Sequence, residues 1–224
     1  QVTGTYSVYD AKGLREDLSD IIYSIAPTET PFMSGIGKEK ATAVLHEWQT
    51  DSLASAVANN AQIEGDEISF SAPSSTTRVN NRTQISRKSV IVSGTLDSVS
   101  KAGRNNELAY QISKASKELK RDMESSLTAN NSPVVGDDST ARELAGLAGW
   151  IQTNNDAGSG GANGQVSSVD VPGTARTDGT QRAFTESQLK SVIKKCWDEG
   201  GDPSMIMLGS FNKQVLSGFT GGST

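Results

Sequence analysis

The sequence contains one cysteine and one histidine in 224 residues. A single cysteine, Cys196, excludes an intramolecular disulfide framework and a metal site built from several thiolates. A single histidine, His46, excludes a site with several histidine ligands and leaves any Ser-His-Asp triad dependent on that one residue. We therefore expect no metal and no cofactor.

The sequence is also poor in large apolar residues. Leu, Ile, Val and Phe together number 45, about a fifth of the chain, which borders on the composition of chains that cannot bury a full core. Either a small core carries long mobile loops, or extended segments are buried by neighbouring subunits. No apolar run approaches the roughly 20 residues that span a bilayer, and no signal peptide is recognisable, so we expect no membrane contact.

Basic residues are fewer than acidic residues in this sequence. The chain has 21 Lys and Arg against 26 Asp and Glu, a net charge of −5. Affinity for phosphate backbones comes from cations that release counterions, so tight binding of nucleic acid is excluded.

The pattern along the chain predicts an arm followed by a long excursion. In residues 1–40, a short amphipathic helix with Leu14, Leu18 and Ile25 must end near Pro27. Residues 41–93 then read as an outgoing strand at Ala41–Thr50 and a return strand at Arg78–Val92. The loop between them, Asp51–Thr77, contains small residues, Gly65 and Pro73, and is predicted to be exposed, with local strand around Ile68–Phe70.

Charges within this excursion are segregated. The acidic residues come first and the basic residues follow on the return strand. They are Glu47, Asp51, Glu64, Asp66 and Glu67, then Arg78, Arg82, Arg87 and Lys88. Two interpretations stay open: opposite charges pair across one hairpin, or an acidic loop reaches a basic surface on another copy.

The strongest predicted helix spans Arg104–Asn130. Leu108, Ile112, Ala115 and Leu119 form an apolar seam that Met123 continues out of phase. Lys114–Glu118 and Lys120–Glu124 are opposite charges four residues apart on its exposed side. We expect the seam to be buried, and we expect the helix to act as a structural spine.

The remainder combines a Gly-rich loop with an α/β layer. Thr153–Arg182 is predicted to be a mobile loop, with a brief extended piece at Val166–Val171. A capping box at Thr185–Gln188 begins a helix that Gly200–Gly201 ends. Met205–Leu208 should be a short buried strand, and Ser210 should cap a last helix.

No catalytic constellation emerges from this inventory. His46 lies on a predicted strand two positions from Trp48 and is expected to be structural. Cys196 lies on an apolar helix face and is expected to be an unreactive thiol. The Gly158–Gly164 run lacks the Gly-Lys-Ser/Thr ending of a phosphate-binding loop.

Four long segments of the sequence together resemble one known family. They are Tyr6–Leu53, Lys101–Asn130 with its AGRNNELAYQ entry, Leu144–Ile151, and Phe184–Thr220. They are similar to the major capsid proteins of tailed double-stranded DNA phages, whose fold is called Hong-Kong-ninety-seven-like. The resemblance implies an α+β fold with a 1–40 N-terminal arm, a 41–93 extended loop, a 94–139 peripheral domain with spine helix 104–130, and a 140–224 axial domain that is incomplete.

The resemblance further implies a structural subunit of the virion, assembled in the host cytoplasm. Its partners would be many copies of itself in hexamers and pentamers, packaged DNA held weakly, and portal, scaffolding or decoration proteins. One aromatic residue and eight charged residues of the excursion are candidate contacts between subunits: Trp48, Asp51, Glu64, Asp66, Glu67, Arg78, Arg82, Arg87 and Lys88. The candidate core of the spine helix is Leu108, Ile112, Leu119 and Met123. Two alternatives are an encapsulin-like cargo shell and, from a different class, a small α/β hydrolase using His46.

Overall fold

A computed structural model describes residues 29–68, 70–100, 103, 106–165 and 173–220. It confirms a mixture of helix and sheet. In chain order its elements are α1 (Pro31–Gly35), β1 (Leu45–Thr50), β2 (Thr77–Arg82), α2 (Gly94–Ser98), α3 (Glu107–Thr128), α4 (Leu147–Trp150), α5 (Glu186–Asp198) and α6 (Ser210–Leu216). The predicted arm helix and the extended piece at Val166–Val171 lie outside the described residues.

The described residues fall into two compact units. One holds residues 29–31 and 86–122, and the other holds 32–85 and 123–220. The boundary after Asp122 falls within α3. The division into arm, extended loop, peripheral and axial domains stays a prediction.

In the first unit, the entry to α3 is fixed by two side chains. Ala109 N donates to Asn106 Oδ1 at 2.7 Å, so Asn106 acts as the helix cap. Glu107 N donates to Asp97 Oδ1 at 3.0 Å, which ties α3 to α2. The helix thus begins three residues after the predicted start at Arg104, and its 22 residues extend about 33 Å. The predicted Lys114–Glu118 pair is present at 4.0 Å.

The apolar seam of α3 is not buried within this chain. Leu108 is 43% exposed, Ile112 is 52% exposed and Met123 is 38% exposed, while Leu119 is half-buried. The chain itself therefore does not bury the predicted spine-helix core. Val90 lies beside this face. Burial by another chain stays a prediction.

The second unit begins with α1, whose first amides are held by a distant carboxylate. Phe32 N and Met33 N donate to Glu124 Oε1 and Oε2 at 2.8 and 2.7 Å. These are amides that a helix leaves without partners at its start, and a negative charge there is also favoured by the helix dipole. Sequence analysis had paired Glu124 with Lys120; its carboxylate serves α1 instead.

The hairpin is shorter than predicted at both strands. β1 and β2 pair antiparallel from Leu45↔Arg82 to Thr50↔Thr77. One further bond joins Thr83 N to Val44 O, after which Arg142 Nε donates to Thr83 O at 2.6 Å. After β2, the backbone therefore leaves its partner strand, and Thr83 O is bonded by the side chain of Arg142 instead. No strand forms at Ile68 or Phe70; Ser69 lies outside the described residues.

Side-chain carboxamides bind this second unit together. Each of three asparagines pairs with the backbone of a distant segment and uses both its donor and its acceptor. The pairs are Asn81 with Ala145, Asn131 with Leu144 and Gly146, and Asn130 with Arg176. Among the described residues, Pro133 is buried, but no Ala, Val, Leu, Ile, Met, Cys or aromatic side chain is. Hydrogen bonds to backbone therefore do much of the joining that an apolar core performs elsewhere.

The Gly-rich region contains backbone pairing. Two antiparallel bridges, Ala162↔Thr177 and Gln165↔Thr174, make a hairpin from its described parts. Arg182 pairs with Asp156, and the guanidinium lowers the pKa of that carboxyl below its usual value. A Cβ on Gly164 would lie 2.4 Å from Gly149 O, so only glycine allows this close approach. Residues 153–165 and 173–182 thus contain pairing that the sequence did not predict, and their mobility stays a prediction.

The C-terminal helices match the sequence in part. The capping box is confirmed, since Gln188 N donates to Thr185 Oγ1 and Thr185 N to Gln188 Oε1. Met205–Leu208 forms no strand, and Met205 is 64% exposed, because no described strand lies beside it. That prediction is wrong. Ser210 is the first residue of α6, and Gly209 is its cap.

Candidate assembly surface

A long exposed connection joins β1 to β2. We call residues 51–76 the extended-loop tip. Every described residue in it is exposed. It contains a turn in which Asp66 N donates to Ile63 O at 3.1 Å across Gly65, whose φ of 83° suits glycine. The described tip residues thus present their side chains to the surroundings.

The tip carries large apolar side chains that nothing in the described chain covers. Leu53 is 99% exposed and Phe70 is 93% exposed. The full set is Leu53, Val57, Ile63, Ile68 and Phe70. The stretch was predicted to be an exposed loop of small residues, and the contribution of these apolar side chains was missed. Exposed apolar side chains gathered on one segment are typical of a surface that binds another protein.

All charged side chains of the tip are acidic. They are Asp51, Glu64, Asp66 and Glu67. Asp51 Oδ1 accepts the Ser52 amide at 2.8 Å and Asp66 Oδ1 accepts the Glu67 amide at 2.9 Å, so two carboxylates shape the local backbone. Their negative charge remains directed at the solvent.

At the base of the hairpin, aromatic rings fix β1 to the rest of its unit. Trp48 stacks on Trp150 with ring centroids 5.0 Å apart, and His46 lies 5.8 Å from Trp48. Trp150 Nε1 donates to Ala145 O at 3.3 Å. Trp48, predicted as a contact between subunits, thus has a partner in its own chain. His46 belongs to the same aromatic group.

The basic residues after the tip divide into two kinds. Arg78 lies 3.8 Å from Glu47 across the hairpin, and Lys88 lies 2.7 Å from Asp122 within the first unit. Hydrogen bonding to Asp122 and the charge of its carboxylate raise the pKa of Lys88 above its ordinary value. Within the described part of the chain, Arg82 and Arg87 form no ion pair. Cross-strand pairing therefore accounts for one basic residue and leaves two for other partners.

The described residues offer little for chemistry on small molecules. None of their His, Cys, Asp and Glu side chains form a group of three that could hold a metal ion. A shallow cavity of about 360 Å³ is lined by Ile85, Asp137 and Arg142 among others. Hydrogen bonds from Ser139 and Thr140 lower the pKa of Asp137 to about 2, so this carboxyl is a turn-forming anion. Cys196 is half-buried on α5.

Among the described residues, every helix is too short or too polar to span a bilayer.

Two further groups of exposed apolar residues lie near the C-terminal helices. Trp197 on α5 is 66% exposed and Phe211 on α6 is 75% exposed. The apolar periodicity of α5 did predict one face, but nothing in the local pattern indicated that this chain would leave it uncovered.

Comparisons with known proteins show which family the sequence matches. The sequence matches the family described as SU10 major capsid protein over residues 1–224. It is 30% identical over 238 residues to a major capsid protein of Escherichia phage Phieco32, an alignment that covers 94% of this chain and 68% of that protein.

Proposed function

Because the chain belongs to the SU10 major capsid protein family, we propose that it builds a phage head shell by inserting its extended-loop tip against neighbouring copies. The protein is a structural subunit of a capsid, located in the virion. The family match gives no support to the cargo-shell or hydrolase alternatives. Hexamers and pentamers arranged in an icosahedral shell around double-stranded DNA are the finer form of this proposal.

The observation that carries the proposal is the exposure of the tip. Five large apolar side chains project from a segment that the described chain leaves uncovered. Burying one such side chain is worth roughly 1.5–3 kcal/mol, and a free subunit does not gain it. A neighbouring subunit can supply that burial, so stability belongs to the assembled shell rather than to one chain.

Opposite charges would determine how the tip of one copy is positioned on the next copy. The tip is acidic throughout, while Arg82 and Arg87 lie in the same chain without ion-pair partners in its described part. In a ring of identical subunits, the acidic tip of one copy can meet these arginines on the next, which is a head-to-tail contact. Such exposed pairs steer and orient the contact more than they strengthen it.

The net charge of −5 fits a container for DNA. A shell that must be filled and emptied should hold its genome weakly, and an acidic subunit lacks the cations that bind phosphate backbones tightly. Portal, scaffolding and decoration proteins are further partners in this proposal. Trp48, Lys88 and the other predicted contact residues remain candidates in the assembled state.

The test is assembly of a full-length variant in which Leu53, Ile63 and Phe70 are each replaced by serine. We expect the subunit to be made and to stay unassembled, because the tip has lost its apolar contacts. Sucrose-gradient sedimentation and negative-stain microscopy measure shell formation. The matched control replaces Asn59, Asn60 and Gln62 with serine in the same tip and should assemble normally. Normal shells from the apolar variant would contradict the proposal.

A further inference from the structure

Two described side chains in the second unit have a buried donor without a partner, Asn80 Nδ2 and Asn155 Nδ2, and Asn80 is the more buried residue. Asn80 on β2 is only 7% exposed, and its Nδ2 makes no hydrogen bond within the described part of the chain. Leaving a buried donor unpaired costs about 1–3 kcal/mol. Its neighbour Asn81, by contrast, uses both ends of its carboxamide. The Nδ2 group of Asn80 therefore needs a hydrogen-bond acceptor that the described protein atoms do not supply.

The Asn80 side chain lines a very small cavity. Its volume is about 10 Å³, and its lining includes Asn131, Ser132, Gln165 and Thr174. A water molecule needs about 10–15 Å³ of such space together with two to four polar partners. The cavity is too small for any organic ligand, and its lining combines these polar residues with apolar ones such as Pro133, Ala145 and Trp150.

The lining can supply the further hydrogen bonds. Ser132 Oγ accepts the Ala175 amide at 3.0 Å and still has its own proton to donate. Gln165 and Thr174 exchange backbone hydrogen bonds at 2.9 and 3.1 Å, and each carbonyl oxygen retains a second lone pair. Donors and acceptors are thus both present around the Asn80 amide.

We propose that this cavity is a binding site for a single ordered water molecule, which accepts a hydrogen bond from Asn80 Nδ2. The water joins β2 to the segment after α3 and to the Gly-rich hairpin. Because β2 leads directly out of the extended-loop tip, this junction fixes the base from which the tip projects. The site is independent of what the tip contacts.

The test is a high-resolution density map of shells formed by the full-length protein. We expect an isolated peak about 2.7–3.2 Å from Asn80 Nδ2 and within hydrogen-bond distance of at least one other lining atom. An empty cavity would overturn the proposal. So would a carboxamide turned over to bond directly to protein, or a side chain of another subunit occupying the space.

A pair of variants separates the water from general packing. Asn80→Leu replaces the donor with a larger apolar side chain of the same branching, and the peak should disappear while the shell still forms. Asn59→Leu makes the same change on the exposed tip and should leave the peak in place. If Asn80→Leu does not assemble, Ser132→Ala provides the second reading, with loss or displacement of the peak expected. An unchanged peak in either cavity variant would contradict the site.

Discussion

At the scale of single residues, this protein relies on polar side chains where other proteins use apolar ones. Asn81, Asn130 and Asn131 each imitate a strand partner by bonding a backbone amide and a backbone carbonyl. Such bonds contribute about 1 kcal/mol each, and they demand defined geometry. They therefore hold segments in register without the thick core that the composition cannot supply.

Replacing Asn81 with alanine tests this role. We expect the amide of Ala145 to exchange its hydrogen faster, by a factor of about 5–30 for a loss of one to two kcal/mol, because its acceptor is gone. Hydrogen exchange followed by mass spectrometry of peptides covering 142–150 measures this. Asn59→Ala on the tip is the control. Equal protection in both variants would mean that the carboxamide pair contributes nothing.

Asp137 leads to a prediction for pH. Its folded pKa is lowered from 3.8 to about 2, first by the Ser139 hydroxyl and then by the Ser139 and Thr140 amides. Its contribution to stability is therefore fully present above about pH 4 and is lost as the pH falls through about 2. Carboxyl NMR titration should show this low midpoint, and Ser139→Ala should move it upward. A midpoint unchanged by that substitution would show that the Ser139 hydroxyl does not lower the pKa.

At the scale of elements, the sequence predicted what is encoded locally. The capping box at Thr185, the extent of α5 and most of α3 follow from caps and periodicity within a few residues of each other. The predicted strand at Met205–Leu208 is absent, because strand pairing depends on neighbours that a local pattern does not contain. Burial of the α3 seam depends on neighbours in the same way and stays a prediction. The stacking of Trp48 on Trp150 and the Glu124 cap of α1 were missed for the same reason, since their partners are distant in sequence.

The capping box on α5 provides a test at this scale. Thr185→Ala should destabilise the start of α5 by about 0.5–2 kcal/mol, because the Gln188 amide loses its acceptor. Thr185→Ser keeps the hydroxyl oxygen and should cost much less. Exchange rates of the amides at 186–189 report the difference. Identical rates in the two variants would show that the box is dispensable.

The seam of α3 allows a prediction that depends on the state of assembly. Because Ile112 is 52% exposed in the single chain, Ile112→Ala should cost an unassembled subunit less than about 1 kcal/mol. In the shell, where we expect another chain to cover this face, the cost should rise to the roughly 2–5 kcal/mol of a core truncation. Denaturant titrations of subunits and of shells compare the two. Equal small losses in both would make the seam a surface feature of the shell.

At the scale of the whole molecule, the described chain leaves many of its large apolar side chains exposed to solvent. The extended-loop tip, the α3 seam and the Trp197 face of α5 are all uncovered. The sequence predicted the family, but the prediction of a loop of small residues overlooked the five large apolar side chains of the tip. A recombinant 1–224 chain should therefore associate or aggregate rather than behave as a monomer. Analytical ultracentrifugation would measure this, and a stable, cooperatively unfolding monomer would contradict it.

The central claim is that the extended-loop tip binds a neighbouring subunit. A cryo-electron-microscopy map of the assembled shell tests it most directly, by the exposed fractions of Leu53, Ile63 and Phe70. The account predicts that these side chains are buried against another copy, with the tip carboxylates near Arg82 or Arg87 of that copy. A tip folded against its own subunit, or left in solvent within an intact shell, would contradict it.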